Sequence, residues 1–197
     1  MTLTDISNCR LVSQKIVTTE FSSAKDVVGW MGAMQAQDFA MAKWAVGLRL
    51  LNPANSTIET ALNKGEIIRT HVMRPTWYFV AAEYVYWLLD LTASKIKMAM
   101  KARDKELELS EEIFAKSNKI LENILSKGMY LGREELAEAF KNAGISTVNN
   151  RLSHLLVRAE LEGIVCSGFV NGNKQTYALL SDRVPHKKIP SERRITG

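Results

Sequence analysis

A hairpin signal that follows three helical segments is the feature that most restricts the fold of this chain. Residues 164–170 and 174–180 are rich in strand-forming side chains, and Asn171-Gly172-Asn173 lies between them. An Asn-Gly pair between two such runs is among the strongest short-range signals for a β-hairpin. Helical patterns precede it at residues 110–126, 132–142 and 146–161. Three helices followed by a hairpin are typical of a winged helix.

The first part of the chain repeats this order. Helices are predicted at residues 5–17, after Ser23, after Asp38 as N-cap, and at 57–64; two strands follow at 66–73 and 76–80. The predicted fold class is therefore α+β, mainly α-helical with small β-hairpins, in the form of tandem winged-helix domains.

The repeat also predicts the domain boundaries. The first module covers residues 1–91 and the second covers 110–182. A helix at 92–109, with alternating basic and acidic residues, connects them. Residues 183–197 form a basic tail or a linker to a further domain.

Net charge does not by itself identify the partner of this chain. The 197 residues carry a formal net charge of +5. Residues 183–197 contain five basic residues and one acidic residue, so they supply four of these five charges. Any DNA-binding face elsewhere must therefore come from local clustering of basic residues.

Several classes of protein are not supported by the sequence. No N-terminal run has the charged and apolar regions of a signal peptide, and no apolar stretch is long enough to span a membrane. Cys9 and Cys166 are far apart, which predicts reduced thiols in a cytoplasmic protein. Metal-ligand spacings and glycine-rich phosphate loops are absent from the sequence, so we expect no metal and no cofactor.

The helix predicted at residues 146–161 holds the recognition position of a helix-turn-helix. Polar residues on the side opposite its apolar stripe suit contacts with phosphates and base edges, and the following hairpin offers one more cation. The candidate DNA-binding residues are Thr147, Asn150, Arg151, His154, Arg158 and Lys174. The alternative is a solvated helix face.

Gln35-Ala36-Gln37 is a second candidate site. On a continuous helix the two amides would project to opposite flanks. They converge only if the helix ends here and the backbone extends, and Asp38 as the cap of the next helix favours such a break. Convergent amides could bind a water, a sugar or a base edge. The alternative is that they satisfy backbone groups near a helix end.

The predicted first hairpin carries Arg69, His71 and Arg74. These side chains could bind phosphates or polarise a leaving group. Alternatively, the long cationic side chains cover the edge of the core. His71 has no carboxylate or serine partner evident in the sequence, so a hydrolase triad has no support.

Three segments of the chain together resemble the AlkZ-like winged-helix DNA-binding family. Its best-studied members are bacterial DNA glycosylases that excise alkylated bases and unhook interstrand crosslinks. The resemblance covers most of the chain. The segments are Gln35-Ala36-Gln37-Asp38, Leu48-Arg49-Leu50, and Arg69-Thr70-His71-x-Met73-Arg74-x-Thr76-Trp77.

The resemblance implies a catalytic role for Gln35 and Gln37. One amide would position the water that attacks the sugar C1′ as the bond to an already cationic, alkylated base weakens. The hairpin residues that match the family motif, and that would bind DNA, are Arg69, His71, Arg74 and Thr76. The implied partner is double-stranded DNA that carries alkylated or crosslinked bases.

The sequence departs from the family pattern in two respects. Members usually carry three winged helices, whereas this chain resembles the N-terminal half to two-thirds of them. Tyr78 also follows Trp77 where many relatives have His. Two other functions stay open: a transcription regulator that reads DNA with helix 146–161, and a protein-interaction module. Salt-dependent DNA binding separates the last of these from the others.

Overall fold

The computed structural model describes residues 2–171 and 174–185. The first part contains four helices, which end before the first hairpin. They are α1 (Leu3–Ser13), α2 (Ala24–Met31), α3 (Phe39–Gly47) and α4 (Asn55–Asn63). The N-cap of α1 is Thr2, in a capping box with Asp5, so this helix begins and ends earlier than residues 5–17. The predicted cap of α3 is confirmed, because Asp38 accepts a hydrogen bond from the Met41 N–H at 3.0 Å.

Three short strands form the first sheet: β1 (Ala33–Gln35), β2 (Ile67–His71) and β3 (Trp77–Ala81). Their order is β1-β3-β2 and all pairs are antiparallel. The predicted hairpin is confirmed. Strand β1 was not predicted, because its three residues pair with β3, which lies more than 40 residues further along the chain.

A 3₁₀ turn (Ala82–Tyr84) leads into α5 (Val85–Glu106), a continuous helix of 22 residues. This helix runs through the boundary predicted at residue 91 and most of the predicted connecting segment. It packs against α8 (Arg151–Leu161) of the second part.

The second part repeats the order of the first. Its elements are α6 (Glu111–Ile124), β4 (Leu131–Gly132), α7 (Arg133–Asn142), α8, β5 (Val165–Asn171), β6 (Lys174–Leu179) and α9 (Leu180–Arg183). Its sheet has the order β4-β6-β5. In both parts a helix, a strand, two helices and two strands follow one another, and the last strand lies between the other two.

Helix α8 begins later than predicted. Asn149 and Asn150 have φ angles of 52° and 70°, in the left-handed region that asparagine tolerates better than most residues. They break the helical backbone, and the helix starts at Arg151 rather than near residue 146. Thr147 and Asn150 therefore precede α8 instead of lying within it. Gly172 and Asn173 of the second turn, and residues 186–197 of the predicted tail, lie outside the described residues.

Two apolar cores and a cluster between them hold the parts together. Phe79 and Ile67 lie in the first core, and Phe140 and Leu155 in the second. Side chains of both sheets meet in the third cluster, which includes Ile68, Val80, Cys166 and Leu180. Within the part of the chain that the structure describes, none of the helices has the length and apolar content to cross a membrane.

Candidate functional site

The Gln35-Ala36-Gln37 segment has an extended backbone. Helix α2 ends at Met31, Gly32 follows with a φ of 74°, and β1 begins at Ala33. The pairing with β3 continues past the strand, where the Ala36 N–H donates to the Trp77 carbonyl at 2.7 Å. Side chains two residues apart on extended backbone leave the same side. Gln35 and Gln37 are both exposed and Ala36 between them is fully buried, so the backbone meets the condition for converging amides.

The first hairpin fixes the amide of Gln37. The Thr76 hydroxyl donates to Gln37 Oε1 at 2.7 Å, and the Trp77 N–H approaches the same oxygen at 3.5 Å. Because the amide oxygen accepts these bonds, the NH₂ group of Gln37 is left as the donor. Gln35 lies opposite Tyr78 in the sheet.

Arg69 binds the backbone of the Gln35-Ala36-Gln37 segment. Its side chain is only 8% exposed. Its Nε and Nη2 donate to the Ala36 carbonyl at 3.0 and 2.8 Å, and Nη2 also donates to the Gln37 carbonyl at 3.1 Å. Nη1 donates to Gln175 Oε1. The guanidinium lies 4.5 Å from the centre of the Trp77 ring, and burial lowers its pKa. A direct contact of Arg69 with DNA stays a prediction.

His71 has a carboxylate partner that the sequence did not reveal. Its Nδ1 lies 2.6 Å from Oε2 of Glu160, which also accepts the His71 backbone N–H at 2.9 Å and the Thr70 hydroxyl at 3.2 Å. Glu160 is fully buried and lies 89 residues further along the chain, on α8. The His71 ring stands 4.3 Å from that of Trp77. The available signal was the position of Glu160, four residues after Leu156 on the buried face of α8.

The remaining hairpin cation is on the surface. Arg74 is exposed, and its Nε donates to the Tyr78 hydroxyl at 3.1 Å. Tyr78 is the cross-strand neighbour of Gln35. The exposed guanidinium of Arg74 is therefore bonded to the residue that pairs with Gln35, and a phosphate contact of Arg74 stays a prediction.

Most polar side chains of α8 are bonded to carbonyl and carboxylate groups of neighbouring segments. Arg151 donates to the carbonyls of Ser146, at 3.0 Å, and Leu107. His154 Nδ1 lies 2.6 Å from Asp104 Oδ1 on α5.

Arg158 is held in the same way. It pairs with Glu111 and Glu162, and its guanidinium lies 4.6 Å from the centre of the Phe114 ring. Through Glu111 and Phe114, Arg158 joins α8 to α6, as His154 joins α8 to α5 through Asp104. DNA contacts of Thr147, Asn150, Arg151, His154 and Arg158 stay predictions, and the side chain of Lys174 lies outside the described residues.

A cavity of about 320 Å³ lies between the first hairpin, α5, α7 and α8. It brings together predicted residues from both parts of the chain with residues that were not predicted. Arg133 belongs to the latter, and its Nη2 donates to Ser153 Oγ at 2.7 Å. Among residues 2–171 and 174–185 no group of His, Cys, Asp and Glu is arranged to hold a metal ion. The polar residues at the cavity include Gln37, His71, Arg133, Asn150, His154 and Glu160.

Comparison with solved structures identifies the fold. The Streptomyces sahachiroi DNA glycosylase AlkZ is similar with a TM-score of 0.76 and 23% sequence identity. The likeness covers 92% of this chain and 50% of that chain, so this chain spans about half the length of its structural relative. A search of curated proteins found no match.

The sequence itself identifies the family. Residues 28–195 match the profile of the DNA glycosylase AlkZ-like family. This match includes Gln35, Gln37 and the whole first hairpin. The chain therefore belongs to the DNA glycosylase AlkZ-like family.

Proposed function

We propose that this protein is a DNA glycosylase that hydrolyses the N-glycosidic bond of alkylated bases in double-stranded DNA, with Gln35 and Gln37 as its catalytic amides. The observation that carries the proposal is the extended Gln35-Ala36-Gln37 segment, whose second amide is fixed by Thr76 at 2.7 Å. Membership of the DNA glycosylase AlkZ-like family supports the same reaction.

We further propose that the repeated topology represents two tandem winged-helix modules. The order of elements and the central place of the last strand are the same in both sheets. The modules comprise residues 1–91 and 110–182, and residues 92–109 connect them. The basic tail or linker predicted at residues 183–197 lies mostly outside the described residues, and its first residue, Arg183, ends α9.

The two amides have different tasks in the proposed reaction. The water oxygen forms a bond to C1′ while the C1′–N bond breaks. The electron pair of the C1′–N bond leaves with the base nitrogen and neutralises the cationic base. Gln37, whose oxygen is engaged by the hairpin, donates from its NH₂ group to the water. Gln35 accepts a hydrogen bond from the same water, whose proton passes to solvent. Because a cationic base leaves readily, positioning the water is the main contribution of the protein.

The alternative of a transcription regulator has less support. A recognition helix needs side chains that are free to reach the edges of the bases. Arg151, His154 and Arg158 instead contact the carbonyls, carboxylates and rings of their own chain. The site around Gln37 requires no such readout, and a glycosylase binds with little sequence preference.

Release of the base from DNA tests the proposal. Duplex DNA containing 7-methylguanine is incubated with an excess of protein, and abasic sites are counted over time. The wild type is expected to release the base, and Gln37→Ala to be about a hundredfold slower, as for loss of one catalytic amide. Asn55→Ala, which removes an exposed amide on α4, serves as the matched control and should match the wild type. No release by the wild type would overturn the proposal.

A further inference from the structure

The cavity beside Gln37 has a buried carboxylate with one unpartnered oxygen. Glu160 is fully buried and is one of the residues that line this cavity. Its Oε2 accepts three hydrogen bonds, from Thr70 and His71. Its Oε1 has no hydrogen-bond partner among the described residues. Buried polar atoms are almost always hydrogen-bonded, so Oε1 is an acceptor available to a donor on a bound molecule.

The other walls suit a flat aromatic molecule. Trp77 and Tyr177 line the cavity with rings whose centres lie 6.2 Å apart, and Leu156 and Val157 add apolar surface. Arg69 and His71 fix the Trp77 ring, because the guanidinium and the imidazole lie 4.5 and 4.3 Å from its centre. Small-molecule sites commonly combine such apolar walls with a few fixed polar groups.

Charge is distributed unevenly along the cavity. Arg133 and Asn150 are exposed, so they mark its outer rim, whereas Glu160 is at its buried end. Asn150 is the N-cap of α8 and makes no side-chain bond to the helix, so the positive end of the helix dipole faces the rim without a side-chain cap. A nucleotide has the complementary distribution: an anionic phosphate at one end and a base with N–H donors at the other.

We propose that this cavity receives the nucleobase at the cleaved bond, and that Glu160 Oε1 accepts an N–H of the base while Trp77 and Tyr177 form its aromatic walls. The inference rests on the proposed function and adds a specificity-determining residue to it. A buried carboxylate favours a base with an N–H donor on its edge, and favours a cationic base over a neutral one. The same contact draws the base next to Gln37.

Binding of free bases to the wild-type protein gives the first test. 7-Methylguanine carries N–H donors, and 1,3,7-trimethylxanthine is a purine of similar shape that has none. Titration followed by calorimetry or by saturation-transfer NMR is expected to show at least about tenfold tighter binding of 7-methylguanine, as for a hydrogen bond to a charged group. Equal affinity for the two purines, or no binding of 7-methylguanine, would overturn the inference.

Variants give the second test. Glu160→Gln replaces one carboxylate oxygen by an NH₂ group, and 7-methylguanine should then bind at least about tenfold more weakly. Val157→Phe fills the cavity and leaves the contacts of Glu160 in place, so it decides the outcome if the first variant does not fold. Val148→Phe is the matched control, because Val148 is 62% exposed and does not line the cavity. Wild-type affinity in Val157→Phe would contradict the inference.

The two proposals fail separately. If the wild type releases 7-methylguanine from DNA but shows no preference for it over trimethylxanthine as a free base, the proposed base-binding role of the cavity is wrong. The proposed glycosylase activity is then still supported. If the wild type binds free 7-methylguanine selectively but releases none from DNA, the base-binding role of the cavity is supported and the proposed glycosylase reaction is wrong.

Discussion

Arg69 should contribute more to stability than any exposed cation of this protein. Its guanidinium is buried and donates to the carbonyls of Ala36 and Gln37 and to the side chain of Gln175. Arg69→Met keeps the length of the side chain and removes these donors. The carbonyl of the fully buried Ala36 then loses its hydrogen-bond donor, whereas the carbonyl of the exposed Gln37 can accept a hydrogen bond from water.

The expected magnitude follows from these contacts. A buried carbonyl without a partner costs about 2 kcal/mol, and loss of the stacking on Trp77 costs about 1 kcal/mol. Arg69→Met should therefore lower the free energy of unfolding by about 3 kcal/mol and the melting temperature by roughly 6–12 °C. Arg69→Lys keeps the charge but not the planar fork, so about half of this loss is expected.

Urea unfolding followed by circular dichroism measures the change. Arg74→Met is the matched control, since Arg74 is exposed and makes one side-chain hydrogen bond, to Tyr78. It should change the free energy of unfolding by less than about 0.5 kcal/mol. The reasoning would be refuted if the Arg69 and Arg74 variants lost equal stability, or if Arg69→Met melted like the wild type.

Three further predictions concern the site, the pH dependence and DNA binding. Thr76→Val removes the donor to Gln37 Oε1 and should slow base release about tenfold, as for loss of one hydrogen bond, with an unchanged melting temperature. Thr76→Ser should keep the wild-type rate, and equal rates in the two variants would count against this contact. Burial raises the pKa of Cys166, so the unfolded chain loses the thiol proton first and stability should fall as pH rises above about 8.5. Urea unfolding of Cys166→Ala should show a shallower fall, and an unchanged slope would exclude the thiol as the cause. Duplex binding, measured by fluorescence anisotropy, should weaken as salt rises, because phosphate contacts release counterions; salt-independent binding would contradict a DNA-phosphate interface.

Local signals were sufficient for much of the fold. Asp38 predicts the start of α3 because an aspartate side chain can accept a backbone N–H of the first turn, and the structure contains this bond. The first hairpin was predicted from its strand-forming residues. These features depend on residues a few positions apart, so the sequence carries them directly.

Features that depend on distant partners were not predicted. Strand β1 exists because Gln35 pairs with Tyr78, and no local pattern of three residues indicates a strand. The pairing of His71 with Glu160 depends on the packing of α8 against the first hairpin. The late start of α8 depends on left-handed backbone at Asn149 and Asn150, which residue type permits but does not require.

The candidate site was likewise predicted only in part. The resemblance pointed to Gln35, Gln37 and the hairpin residues. The structure adds how they are held: Thr76 bonds the Gln37 amide, and Arg69 bonds the backbone beneath it. Arg133 and Glu160 join the site only through tertiary packing.

A double-mutant cycle on Gln35 and Gln37 tests the central claim most directly. The rate of 7-methylguanine release from duplex DNA is measured at saturating protein for the wild type, Gln35→Ala, Gln37→Ala and the double variant. If the two amides hold one water, the double variant should be about as slow as the slower single variant, because the loss of either partner already removes the water. Rate losses that multiply, or a Gln35→Ala variant with the wild-type rate, would contradict a shared water and with it the proposed site.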